Sequence, residues 1–127
     1  MLRFDPAEPT RQNLSGSRVE FEVEARGERV RCVKRPGRGI CVRAQDVAAL
    51  CGRPNIGHVY SFTRYVKGTR HSRMELFLEG GMLIEHRCVT WHGIRVIAGH
   101  SRGTIHDALM ELDDILSTVD DCWNLMN

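Results

Sequence analysis

From Arg18 to Ala25 the chain alternates strictly, with Val19, Phe21, Val23 and Ala25 on one side and Glu20, Glu22 and Glu24 on the other. A period of two predicts a strand with one buried face. A turn at Arg26-Gly27 returns the chain through Val30 and Cys32 as a second strand, which makes a hairpin. The basic loop Lys34-Arg35-Pro36-Gly37-Arg38-Gly39 follows, and then a third short strand, Ile40-Cys41-Val42. Gln45 to Cys51 has helical propensity and stops at Gly52. Asn55 is placed to cap a second helix over 56–67, in which Ile56, Val59, Tyr60, Thr63 and Val66 share one stripe. Its opposite side carries Gly57, His58, Ser61, Arg64 and Lys67. Met74–Leu78 and Met82–Glu85 flank Glu79-Gly80-Gly81 as a second hairpin. Thr90 is expected to cap a helix containing Ile94, Ile97 and Ala98. Thr104 is expected to cap a last helix, with Ile105, Ala108, Leu109, Leu112, Leu116 and Val119 facing a core.

These elements predict an α+β fold: a small single domain with two β-hairpins and three to four helices, including a helix-turn-helix-like pair. Residues 1–17 show no periodic apolar signal and read as a flexible N-terminal arm, leaving 18–127 as the domain. A chain of 127 residues, 42% hydrophobic, suffices for one core and is short for two. No run of 18 apolar residues is present, and the start Met1-Leu2-Arg3-Phe4-Asp5-Pro6 lacks the apolar stretch of a secretory signal. The expectation is a soluble protein of the cytoplasm of a bacterium or host cell, without a membrane partner. Five scattered cysteines, an odd number, fit reduced thiols in such a compartment.

Net charge is +2, but it is distributed unevenly. Residues 1–25 carry −2, residues 26–73 carry +10 and the remainder carries −6. A section this basic points to a polyanion, with DNA first among candidates. The bland alternative is a solvated basic face partly neutralised by the acidic tail. The short helix, turn and amphipathic helix lie inside the basic section, as a helix-turn-helix reader of the major groove requires. On that reading Arg43, Arg53, Arg64, Lys67 and Arg70 hold phosphates, while Asn55, His58 and Ser61 face the bases.

Three stretches also resemble the amino-terminal Bro-N domain of baculovirus Bro proteins and phage antirepressors. They are residues 40–52 (Ile-Cys-Val-Arg-Ala-Gln-Asp-Val-Ala-Ala-Leu-Cys-Gly), Gly80-Gly81 before a strand, and Thr90-Trp91-His92-Gly93-Ile94 leading to Ser101-Arg102. The resemblance spans roughly residues 19–116. It implies a DNA-binding regulator of phage or viral type, an antirepressor or transcription regulator, that acts on DNA or on a repressor. The chain departs from the family in having Cys41 where an aromatic is usual, an acidic last helix and no following effector domain.

Other readings compete. A phage-derived inhibitor that disables another protein, for example a host defence complex, would use the acidic last helix or the basic face. Gly99-His100-Ser101-Arg102-Gly103 fits the G-x-S-x-G of a nucleophile elbow, but only His106 follows and no later strands can return partners, so an enzyme is not expected. His86, Cys88 and His92 are close enough in sequence to raise a metal site, yet they lack zinc spacings, and no cofactor is expected. Leu109, Leu112, Leu116 and Val119, with Trp123, would pack internally or across the axis of a homodimer.

Overall fold

The computed structural model describes residues 2–3, 18–52 and 71–126. Six strands form one antiparallel sheet: β1 (Leu2–Arg3), β2 (Val19–Ala25), β3 (Glu28–Lys34), β4 (Cys41–Arg43), β5 (Ser72–Glu79) and β6 (Met82–Thr90), in the order β1-β2-β3-β4-β6-β5. Three helices accompany it: α1 (Ala44–Leu50), α2 (Trp91–Gly99) and α3 (Gly103–Met126). The fold is therefore α+β with both expected hairpins. Each hairpin turns on two residues of positive φ, Arg26 (51°) with Gly27 (78°) and Gly80 (57°) with Gly81 (82°). This geometry matches the right-handed twist of the flanking strands. The second helix of the expected helix-turn-helix pair falls on 53–70, outside the described residues.

The alternation in β2 has the consequence read from it. Val19, Phe21, Val23 and Ala25 enter the main core with Val30, Cys32, Val42 and Val89, beneath Val47 and Ala48 of α1, Ile94 and Ile97 of α2, and Ala108, Leu109, Leu112, Leu116 and Val119 of α3. The α3 stripe thus packs internally. That helix has 24 residues, roughly 36 Å of length, and begins at Gly103, so Thr104 lies in its first turn and is not its cap. At its far end Lys34 lies 5.7 Å from the Trp123 ring and 3.8 Å from Asp120, which ties the acidic helix to β3.

The opposite face of the sheet is concave. β4 has only three residues, so β6 pairs with it at Cys88 to Thr90 alone, and the distal half of the β5–β6 hairpin runs on past it. In a flat sheet β2 and β5 would stand four strand spacings apart, roughly 19 Å. Here the amide of Leu78 donates to Glu20 Oε2 at 2.9 Å, and Arg31 Nη2 donates to the Leu78 carbonyl at 2.9 Å. The hairpin has therefore folded back across β2 and β3. It encloses a second small core of Val33, Cys41, Phe77 and Cys88.

One junction secures the helical layer to this sheet. Thr90 donates its amide to the His71 carbonyl (2.8 Å) and Trp91 to the Ile40 carbonyl (2.9 Å), while Thr90 Oγ1 accepts from Gly93 N (3.0 Å) as the cap of α2. The close approach leaves no space at Gly93. A Cβ there would lie 2.5 Å from the His71 carbonyl oxygen and 2.8 Å from Val89 Cγ1, whereas at Gly99 it would meet nothing within 4 Å. Gly93→Ala is expected to lower unfolding free energy by about 2 kcal/mol, as overpacking against backbone does. Gly99→Ala is expected to leave it unchanged or raised. Urea denaturation of the two variants beside the parent checks the contrast.

Candidate nucleic-acid interface

The concave face is charged, and most of its charges are paired. Glu20, 5% exposed, receives Arg31 Nη2 and, at 3.3 Å, Arg18 Nη2. Arg31 also reaches Glu79 (2.7 Å) and lies 5.0 Å from the Phe77 ring. Glu79 Oε1 is shared with Arg43 Nη1 (3.0 Å) and His86 Nε2 (2.8 Å). Burial raises the Glu79 carboxyl, but His86 and Arg31 together outweigh it and hold the pKa below its ordinary value. Asp46 binds Arg43 through both carboxylate oxygens and accepts the Arg31 amide at 2.9 Å. That last bond replaces a strand partner, because β4 ends where α1 begins and leaves Arg31 N–H without one.

This network decides the fate of the basic section. Seven of its eight described cations, Arg26, Arg29, Arg31, Lys34, Arg35, Arg43 and Arg73, lie within ion-pair distance of a carboxylate. Two of those carboxylates, Glu111 and Asp120, belong to α3. The single open basic face expected from the charge count is therefore absent among the described residues. Arg43, read as a phosphate contact, is paired with Asp46 and Glu79. Arg53, Asn55, His58, Ser61, Arg64, Lys67 and Arg70 lie outside the described residues.

Sequence reasoning missed the place where cations do converge. A cleft of about 520 Å³ opens between the loop ending at Ile40 and the start of α2, lined by Arg38, Gly39, Ile40, Arg73, Thr90, Trp91, His92 and Arg95. Arg38 is exposed and, among the described residues, meets no carboxylate. Arg73 lies 3.4 Å from Glu75, a carboxylate already held by Arg35 at 3.0 Å. Arg95 stacks 4.8 Å from the Trp91 ring, and both donate to Asp113 Oδ1, at 2.9 and 2.6 Å. His92 stacks on His71 with ring centroids 5.0 Å apart. Two carboxylates, Glu75 and Asp113, thus stand behind four guanidinium groups, those of Arg35, Arg38, Arg73 and Arg95. The cleft joins residues some 57 positions apart, so no local period announces it. The only sequence signals were the basic loop around Arg38 and the Thr90-Trp91-His92 stretch.

The competing chemistries find other settings. Gly99–Gly103 joins two helices, where an elbow needs a strand before the serine. Ser101 Oγ donates to the Ile97 carbonyl (2.7 Å), and His106 Nδ1 donates to that of Ala98 (2.8 Å). His86 is held by Glu79, Cys88 is buried in the small core and His92 lies on His71. Among the described residues no three His, Cys, Asp or Glu side chains gather as a metal site. Burial raises the Cys41 thiol to about 11, although Arg73, Arg38 and Arg35 pull it down. The thiols of Cys32 and Cys88 are raised further by burial, so these cysteines are inert core residues.

No protein-family model, curated protein or solved structure matches the chain. No helix among the described residues is long and apolar enough to cross a membrane.

The lowered Glu79 pKa sets a pH dependence. Its ionised form contributes stability that is present above the ordinary value of 4.5 and lost as pH falls through the lower folded-state value. Glu79→Gln should therefore flatten the loss of stability below about pH 4.5. Thermal unfolding of parent and variant across that range measures it, and parallel curves would show that Glu79 carries no such linkage.

Proposed function

We propose that the protein is a DNA-binding regulator of phage or viral type, in line with the Bro-N resemblance. The observation that supports this most is the cleft of Arg38, Arg73, His92 and Arg95, where guanidinium charge exceeds carboxylate charge at an opening of the molecule. The segment that carries Arg53, Arg64, Lys67 and Arg70 rejoins the described fold at His71, which stacks on cleft-lining His92. Cations from the cleft and from that segment would contact phosphates of one duplex, with Asn55, His58 and Ser61 supplying base contacts. Regulation follows if the bound site overlaps an operator, or if a repressor is the second partner.

One observation favours the second reading, a protein partner. The β5–β6 hairpin exposes Met74, Met82, Leu83 and Ile84, at 43, 65, 40 and 37%. Register puts Met74 and Leu83 on one face of the hairpin and Met82 and Ile84 on the other; exposed apolar side chains, methionines especially, favour contact with another protein.

Fluorescence anisotropy of labelled duplex DNA across a salt series tests the DNA reading. Affinity should fall log-linearly with salt, and Arg64→Ala with Lys67→Ala should reduce the slope by about 2, roughly one for each cation removed from a phosphate. Absence of binding at low salt would transfer the function to the protein-partner reading.

A further inference from the structure

We propose that the cleft between Arg38 and the start of α2 is a phosphate site that takes one terminal phosphoryl group of a nucleotide or nucleic-acid strand. The inference rests on the nucleic-acid reading in its choice of phosphate over other anions.

Four observations converge on it. First, the charge in and behind the cleft is not balanced among the described residues, since Arg35 and Arg73 share Glu75, Arg95 uses Asp113, and Arg38 meets no acidic partner there. Second, the deficit extends inward as missing acceptors. Among the described residues Nε and Nη2 of cleft-lining Arg73 are buried without a hydrogen-bond partner. Buried guanidinium donors ordinarily find acceptors, so two unpaired ones on a side chain that lines an opening suit an anion there. Third, the opening lies at the amino-terminal end of a nine-residue helix, whose dipole favours negative charge at Trp91 and His92. Fourth, the floor is apolar and rigid, since Ile40 is fully buried and Trp91 is pinned by its indole N–H on Asp113 and its amide on the Ile40 carbonyl.

Phosphate suits this arrangement better than carboxylate. Its three terminal oxygens can accept from several guanidinium forks at once, and the arginines approach from different elements: Arg38 from the loop, Arg73 from β5 and Arg95 from α2. Arg73 must swing away from its 3.4 Å contact with Glu75 to present its fork, and the bound anion supplies the acceptor it lacks. A terminal phosphoryl group offers three oxygens to these three guanidinium groups where a phosphodiester offers two, which makes the terminal group the better match.

Isothermal titration of the full chain at low salt decides the matter, with inorganic phosphate, a 5′-phosphorylated single-stranded oligonucleotide and the same oligonucleotide with a 5′-hydroxyl as probes. The phosphorylated strand should bind about tenfold more tightly than its hydroxyl form, with inorganic phosphate competing. Arg38→Ala, a change on an exposed loop that leaves folding intact, should remove most of that preference, as should Arg73→Gln. Arg29→Ala, paired with Glu22 away from the cleft, should not. Competition by inorganic phosphate without a preference between strands would assign the site to a free phosphorylated small molecule. Phosphate binding together with no duplex binding would support the cleft and defeat the DNA reading. Equal affinity for the two strands with no phosphate competition overturns the inference. It would leave the DNA reading standing if duplex binding keeps its salt slope in Arg38→Ala.

Discussion

The carboxylate of Glu20, buried on the concave face of the sheet, is the constraint around which the rest is arranged. An ionised group so removed from water must be surrounded by donors. Arg18 and Arg31 supply two, and the third is the amide of Leu78, four strands away in sheet order. Satisfying Glu20 therefore bends the sheet. The same bend brings Arg31 to the Leu78 carbonyl, so two side chains of β2 and β3 stand in for a strand partner at the exposed edge of β5. An unpaired edge invites association with another chain, and this arrangement blunts it from within.

Once the hairpin is folded over, Glu79 lies between Arg31 of β3 and Arg43 of β4, Glu75 lies against Arg35 of the loop after β3, and the basic section turns largely inward. Its cations are architectural where carboxylates meet them, at Glu20, Glu79 and Asp46, and become available where the carboxylates run out. That boundary falls at Glu75. Arg35 saturates it from one side, Arg73 is left with a marginal contact from the other, and beyond Arg73 the cleft opens. The fold thus concentrates a diffuse excess of positive charge into one small opening beside an aromatic ring.

Local structure was legible in the sequence because it rests on local rules. The alternation of β2, the Arg26-Gly27 and Gly80-Gly81 turns, the Thr90 cap and the apolar stripe of α3 each follow from neighbours within a few residues, and the structure shows all of them. The last helix begins at Gly103, two residues before the Ile105 that a Thr104 cap implies, and Leu2–Arg3 pairs along β2 where no periodic signal is present. What could not be read was which charges meet. Glu20 alternates with apolar residues just as a solvated carboxylate would, and nothing nearby in sequence says that residues 31 and 78 close on it. Arg43 looked like an open cation because Asp46 reads equally well as a first-turn helix residue. Arg38, Arg73 and Arg95 sit in a loop, a strand and a helix, and only the tertiary fold makes them neighbours.

The central claim is that the arginines of this protein divide into those enclosed by carboxylates on the concave face and those that line the cleft, where they can meet a phosphate. Nitrogen-15 NMR of the arginine Nε groups during titration with short duplex DNA carrying 5′-phosphates reads both sets at once. Shifts at Arg38, Arg73 and Arg95, with Arg31 and Arg43 unmoved, are what the division predicts. Shifts at Arg31 and Arg43 with the cleft arginines silent would contradict it.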